Sequence, residues 1–243
     1  MDASEVARKV GSLRWMTPAE GSKIISHIRD YGIRDVLELG FHHGVSTCYL
    51  AAGVGSSGSV TTIDQPAAGR LDPNVEALLE RCGLRGRVTV FYEKKGYNWR
   101  LMKLLQSDLT PRFDLCFIDG SHLWADEGLA FFLCDRLLRP GGWIVFDDLD
   151  WTLASARAAD GGVQDADAEA DERNTAQVRQ VYELLVKPHP QYADFRTDGF
   201  WGFARKQPAA APGPIRTETV IRTLPVPMDR FRQLMEWSRQ RRT

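Results

Sequence analysis

Between about residues 17 and 205, short apolar runs alternate with amphipathic stretches, the pattern of strands and helices taking turns along a chain. Asp35-Val36-Leu37-Glu38-Leu39 predicts a first strand, broken by Gly40. Val60-Thr61-Thr62-Ile63 predicts a second, ending at Asp64, and Val88–Tyr92 a third. Phe113–Ile118 reads as a fourth strand followed by Asp119-Gly120. Trp143-Ile144-Val145-Phe146 reads as a fifth, running into Asp147-Asp148. Helices are expected between them. Thr17-Pro18-Ala19-Glu20 has the layout of a capping box with proline in the first turn, leading into a helix through Ile24, Ile25 and Ile28. A second helix should begin near Gly44, and a third is expected to open at Asp72-Pro73 and stop at Gly83. A fourth should cover about 125–138, with Pro140-Gly141-Gly142 ending it. Residues 175–187 read as helical, and 193–206 as a closing hairpin with Gly199 or Gly202 at its turns.

Buried strands separated by helices imply an α/β fold, a parallel sheet between two helix layers. Such sheets bind ligands beyond the carboxyl ends of their strands. Three of the expected strands end there in acidic residues: Asp64, Asp119 and the pair Asp147-Asp148. Carboxylates gathered at one edge are costly to desolvate unless a cation or hydrogen-bond donors meet them. That edge is the expected site.

Composition narrows the setting. The chain has 243 residues, a length for one domain with a modest appendage. The expected division is a domain over 1–206 and a Pro/Ala linker with an amphipathic helix over 207–243. That helix, Met228–Arg242, carries Phe231, Leu234, Met235 and Trp237 and is expected to dock on a partner subunit or on its own domain. Lys and Arg total 31 against 32 Asp and Glu, which argues against a nucleic-acid binder. No apolar run is long enough to cross a membrane, and the first residues lack the layout of a secretory signal. The 4 cysteines, Cys48, Cys82, Cys116 and Cys134, are widely spaced and read as buried thiols of a reducing, cytoplasmic compartment. Residues 157–173 are rich in Asp and Glu and poor in core residues; a solvated loop and a lid beside the acidic edge are both compatible with them.

Glu38-Leu39-Gly40-Phe41-His42-His43-Gly44-Val45-Ser46 carries the first chemistry. A strand ends, one glycine allows a tight turn near a ligand, and a second lets the next helix start close by. Asp64 closes the second strand, where a carboxylate can accept hydrogen bonds from ribose hydroxyls. Dinucleotide and S-adenosylmethionine sites compete for this pattern. His42 stands where the dinucleotide fingerprint needs its middle glycine, and a side chain there would obstruct a pyrophosphate. Adenosylmethionine has no phosphate and is cationic, so it tolerates the looser loop.

These residues resemble the class I adenosylmethionine-dependent methyltransferases. The resemblance covers about 17–205. It rests on the glycine loop, Asp64, the Ile118-Asp119-Gly120-Ser121-His122 segment, and Pro140-Gly141-Gly142 leading to Phe146-Asp147-Asp148. It implies a Rossmann-like seven-stranded sheet with helices on both faces and an antiparallel last strand. It further implies that Glu38, Gly40, Ser46 and Asp64 contact the cofactor, to which Gly44 and Asp119 are added. Asp119, Asp147 and Asp148 together suit Mg²⁺ or another divalent cation, a hard ion that prefers oxygen ligands. Catechol-methylating relatives carry an asparagine at the place of Asp148 and a lysine base at that of His122. The sugar-methylating branch, which this chain resembles more closely, carries aspartate and histidine. The expectation is an O-methyltransferase acting on a hydroxyl of a sugar, oligosaccharide or glycosylated natural product, with His122 taking the proton. The rivals are a catechol-like or metal-independent methyltransferase, and a non-catalytic cofactor-binding module in an assembly. His42, His43, Trp124, Trp151, Trp201 and His189 are weaker candidates.

Overall fold

A computed structural model describes residues 1–13, 15–156 and 168–208. Most of the acidic stretch, and the expected C-terminal helix, lie outside the described residues. Seven strands form one sheet: β1 (Asp35–Leu39), β2 (Ser59–Asp64), β3 (Val88–Tyr92), β4 (Phe113–Ile118), β5 (Leu138–Phe146), β6 (Tyr192–Asp198) and β7 (Trp201–Lys206). Their order is β3-β2-β1-β4-β5-β7-β6, with β7 antiparallel to both of its neighbours and the other pairs parallel. The order reverses between β1 and β4, where an open sheet leaves a crevice.

The helices are α1 (Ala3–Val10), α2 (Pro18–Asp30), α3 (Val45–Gly53), α4 (Val75–Cys82), α5 (Tyr97–Ser107), α6 (Trp124–Leu137), α7 (Ala170–Asn174) and α8 (Gln177–Val181), the last continued by a π-helical turn. One face of the sheet packs Val36, Phe117 and Val145 against Ile24, Ile28, Tyr49 and Leu78 of α2, α3 and α4. The other packs Leu37, Cys116, Ile144 and Phe146 against Leu101 of α5, Phe131 and Leu137 of α6 and Val181 of α8. Burial on both faces is why the central strands read as continuous apolar runs.

The capping box at α2 forms as expected: Thr17 Oγ1 accepts the Glu20 N–H, and Glu20 accepts the Thr17 N–H. Other expected boundaries move. Asn74, whose side chain accepts the Ala77 N–H, caps α4, so the helix starts after Asp72-Pro73. Pro140-Gly141-Gly142 does not end α6. The helix stops at Leu137, and β5 begins at once and runs through the Pro-Gly-Gly as a bulge, where Phe113 pairs with Leu138 but Leu115 with Trp143. A bulge is a place where a strand accommodates proline. The hairpin turns at Gly199-Phe200, and Gly202 is a paired residue of β7.

Candidate active site

Backbone hydrogen bonds line up the carboxyl ends of the central strands. Gly40 donates to the Ile63 carbonyl, Asp119 to that of Leu39, and Asp147 to that of Ile118. Gly40, Asp64, Asp119 and Asp147 therefore share one edge, as the strand ends implied.

The turn after β1 is packed too tightly for a side chain. Gly40 has φ +79°, and a Cβ there would sit 1.7 Å from the Asp119 carbonyl oxygen. Gly44, also left-handed, lies against Val75 of α4. Asp64 ties this turn down: its Oδ2 accepts the N–H groups of Phe41 (2.9 Å) and His42 (2.8 Å), and its Oδ1 that of Gln65 (2.6 Å). One oxygen is thus fully used by the loop, and Oδ1 keeps room for a further donor.

Glu38 lies beneath the turn and is fully buried. The hydroxyls of Ser46, Thr47 and Thr62 each donate to its carboxylate at 2.6 Å. Burial pushes its carboxyl up to about 7, against the lowering effect of those three donors. Glu38 and Ser46, both expected to touch a cofactor, hydrogen-bond each other inside the fold and brace the loop. Thr47 and Thr62, which complete this network, were not singled out from the sequence; nothing in their spacing marks them.

Across the edge, Asp119, His122 and Asp148 offer ligand atoms within 4.8 Å of one another. His122 Nε2 lies 3.5 Å from Asp148 Oδ2, and its ring packs on Trp151 with 4.9 Å between centroids. His122 (φ 61°) and Asp148 (φ 53°) are both in the left-handed region. Asp147 lies beside them: its charge acts on Asp119, while its Oδ1 accepts the Asp148 N–H at 2.7 Å and its carboxylate also engages the Trp201 side chain.

The electrostatics of this edge are those of crowded acids. Desolvation and then the charges of Asp147 and Asp148 push the Asp119 carboxyl well above its usual range. Desolvation and Asp148 raise Asp147 to about 8. Burial lowers His122, with Asp148 opposing the shift, so burial favours the neutral imidazole. Two carboxylates and an imidazole beside a third acid are a donor set that fits a divalent cation, which would offset the repulsion.

Glu127, missed from the sequence, is buried one turn into α6, where its carboxylate accepts the His122 N–H. Its signal was present: an acid at the register of Ala130, Phe131, Cys134 and Leu137, the buried stripe of the helix.

An open sheet with a glycine turn at its switch point, an acid closing the second strand and a carboxylate–imidazole cluster opposite defines the class I methyltransferase type of site. Known proteins agree. A family described as a methyltransferase domain matches residues 37–149. A protein of Mycolicibacterium vanbaalenii, named as a candidate O-methyltransferase, is 31% identical over 173 residues, covering 71% of this chain and 68% of that one. A like-named protein of Mycolicibacterium smegmatis is 30% identical, over 71% of this chain and 73% of its own. Among solved structures, an O-methyltransferase from Bacillus cereus in complex with SAH superposes with a TM-score of 0.58 at 22% identity, over 84% and 87% of the two chains. The O-methyltransferase TomG of Streptomyces achromogenes, in complex with SAM, gives 0.59 at 20% identity, over 85% and 89%. The chain belongs to the class I adenosylmethionine-dependent O-methyltransferases.

Proposed function

We propose that this chain methylates a hydroxyl of a sugar or glycosylated small molecule, using adenosylmethionine and a divalent cation, Mg²⁺ or another of its charge. The observation that carries the reading is the convergence of Asp119, His122 and Asp148 at the carboxyl edge. Asp119 and Asp148, with Asp147 beside them, would hold the cation. Asp64, through the open side of Oδ1, and the turn from Gly40 to Gly44 would hold the nucleoside. When bound, the cation supplies polarisation of the acceptor oxygen and adenosylmethionine supplies the methyl group. A sugar hydroxyl is weakly acidic, so its proton needs a base. His122, whose neutral form burial favours, accepts that proton, and Asp148 stabilises the imidazolium that results. The histidine and the full carboxylate at 148 support a sugar over a catechol, whose more acidic hydroxyl makes less demand on either.

Calorimetric titration with adenosylmethionine, and separately with Mg²⁺ or Mn²⁺, tests this directly. The wild type is expected to bind both. Asp148→Ala should lose at least about tenfold in metal affinity, since a first ligand contributes at least as much as the outer partners of a metal site. His122→Ala should abolish transfer to sugar acceptors while still binding adenosylmethionine. A protein that binds adenosylmethionine but no divalent cation would overturn the metal part.

A second reading is favoured by one distance. His122 and Asp148 at 3.5 Å form an acid–base pair that could work without a metal. Methyl transfer that persists in excess chelator would select it.

A further inference from the structure

The turn that carries His122 is held from below by a buried acid. Glu127 is 1% exposed and is the only charged member of the buried stripe of α6. Its Oε1 accepts two hydrogen bonds at 3.0 Å, from the His122 N–H and from the Tyr97 hydroxyl of α5. Tyr97 in turn accepts the Ser121 N–H at 3.3 Å and bonds the Ser121 hydroxyl at 3.2 Å. Gly120 is pressed on the same pair: a Cβ there would lie 2.7 Å from Glu127 Oε1 and 2.5 Å from the Tyr97 ring. Three consecutive residues of the turn are thus fixed by one carboxylate and one phenol. The other oxygen, Oε2, is buried with no partner among the described residues.

That arrangement asks for a reason, because a buried carboxylate is costly and an apolar residue would fill the stripe better. The reason lies in the backbone of His122. A histidine at φ 61° is in a sparsely populated conformation, which persists only where its surroundings over-determine it. Its N–H points into the core and needs an acceptor. Glu127 is that acceptor, and the conformation it holds is the one in which the imidazole lies 3.5 Å from Asp148.

We propose that Glu127 is a positioning residue: with Tyr97 it locks the 120–122 turn so that the His122 ring is presented to Asp148 and Asp119. The inference rests on the role given to His122 above.

The test uses the full chain with Glu127→Gln, Glu127→Leu and Tyr97→Phe, read by NMR of ring-labelled histidine and by Mn²⁺ affinity from paramagnetic resonance, with His122→Ala assigning the resonance. Glutamine keeps an acceptor at Oε1, so Glu127→Gln is expected to leave the His122 resonance and the Mn²⁺ affinity near wild type. Glu127→Leu should move the resonance and weaken Mn²⁺ about tenfold or more, the size of effect known for residues that orient metal ligands, while adenosylmethionine binding is retained. Tyr97→Phe should shift the same resonance in the same direction by less. A folded Glu127→Leu protein with an unmoved His122 resonance overturns the proposal. If that variant does not fold, an unmoved resonance in Tyr97→Phe overturns it equally. A wild type that takes up no Mn²⁺ would sink the metal reading, and the histidine resonance would still decide the positioning role.

Discussion

His27 of α2 is buried among Tyr31, Trp143 and Phe203, and its Nδ1 meets the Arg196 guanidinium at 2.9 Å. Burial, with Arg196 adding to it, lowers its pKa from 6.5 to about 4. The sign follows from proton counting. Below about pH 6.5 the unfolded chain takes up a proton at this residue that the folded chain refuses until about pH 4. Stability is therefore lost as pH falls across that window, by about 2 kcal/mol between pH 7 and pH 5. Urea titrations of wild type and His27→Gln at the two pH values measure it. The gap between the proteins should narrow at pH 5, and a constant gap would mean that His27 is not held neutral. Glu38 shows the same logic at the site, where three hydroxyls surround a carboxyl that burial alone would leave costly. Both are single residues whose surroundings, rather than their type, set their charge.

At the level of elements, the turn from β1 to α3 is the most constrained piece of the site. Gly40→Ala would force a side chain into the Asp119 carbonyl at a left-handed residue. A cost of about 2–4 kcal/mol is expected, together with loss of adenosylmethionine binding, since a clash of this kind adds to the left-handed penalty. Denaturant melts and calorimetry check both, and a variant as stable as wild type would show that the turn can relax. This turn was legible in the sequence because glycine there is a backbone requirement. The parallel strands were legible because burial on both faces leaves the central ones largely apolar. Helices α1 and α5 were not read, and the reason is physical: α1 buries only Val6 and Val10, α5 only Tyr97 and Leu101, and α5 starts without a side-chain cap. The extension of β5 back to Leu138 hid behind a Pro-Gly-Gly that reads as a break and is a bulge. In the site, the acids at strand ends and His122 were visible in the sequence. The supports Thr47, Thr62 and Glu127 were not read, because each takes its role from a buried hydrogen bond that no local pattern marks.

On the scale of the whole molecule, the sheet gathers three half-buried acids at one edge. Asp119, Asp147 and Asp148 all have raised pKa values, chiefly through desolvation; neighbouring acids add to it at Asp119 and Asp147, while His122 opposes it at Asp148. An acid whose folded pKa is raised binds more protons folded than unfolded. Its contribution to stability is therefore lost as pH climbs from its ordinary value toward the raised one, which for Asp147 is about 8. The ligand-free protein should accordingly weaken between pH 5 and pH 8 on this account, the reverse of the His27 effect, which acts below pH 6.5. A divalent cation changes the direction. Protons compete with it for the same carboxylates, so it binds better as they ionise, and a ligand that binds only the folded state stabilises it by mass action. Thermal melts at pH 6 and pH 8, with and without Mn²⁺, should show a larger upward shift at pH 8. Asp148→Ala should abolish most of that shift while leaving the shift caused by adenosylmethionine. A Mn²⁺ shift that is equal at the two pH values, or that survives in Asp148→Ala, would place the cation somewhere other than this edge.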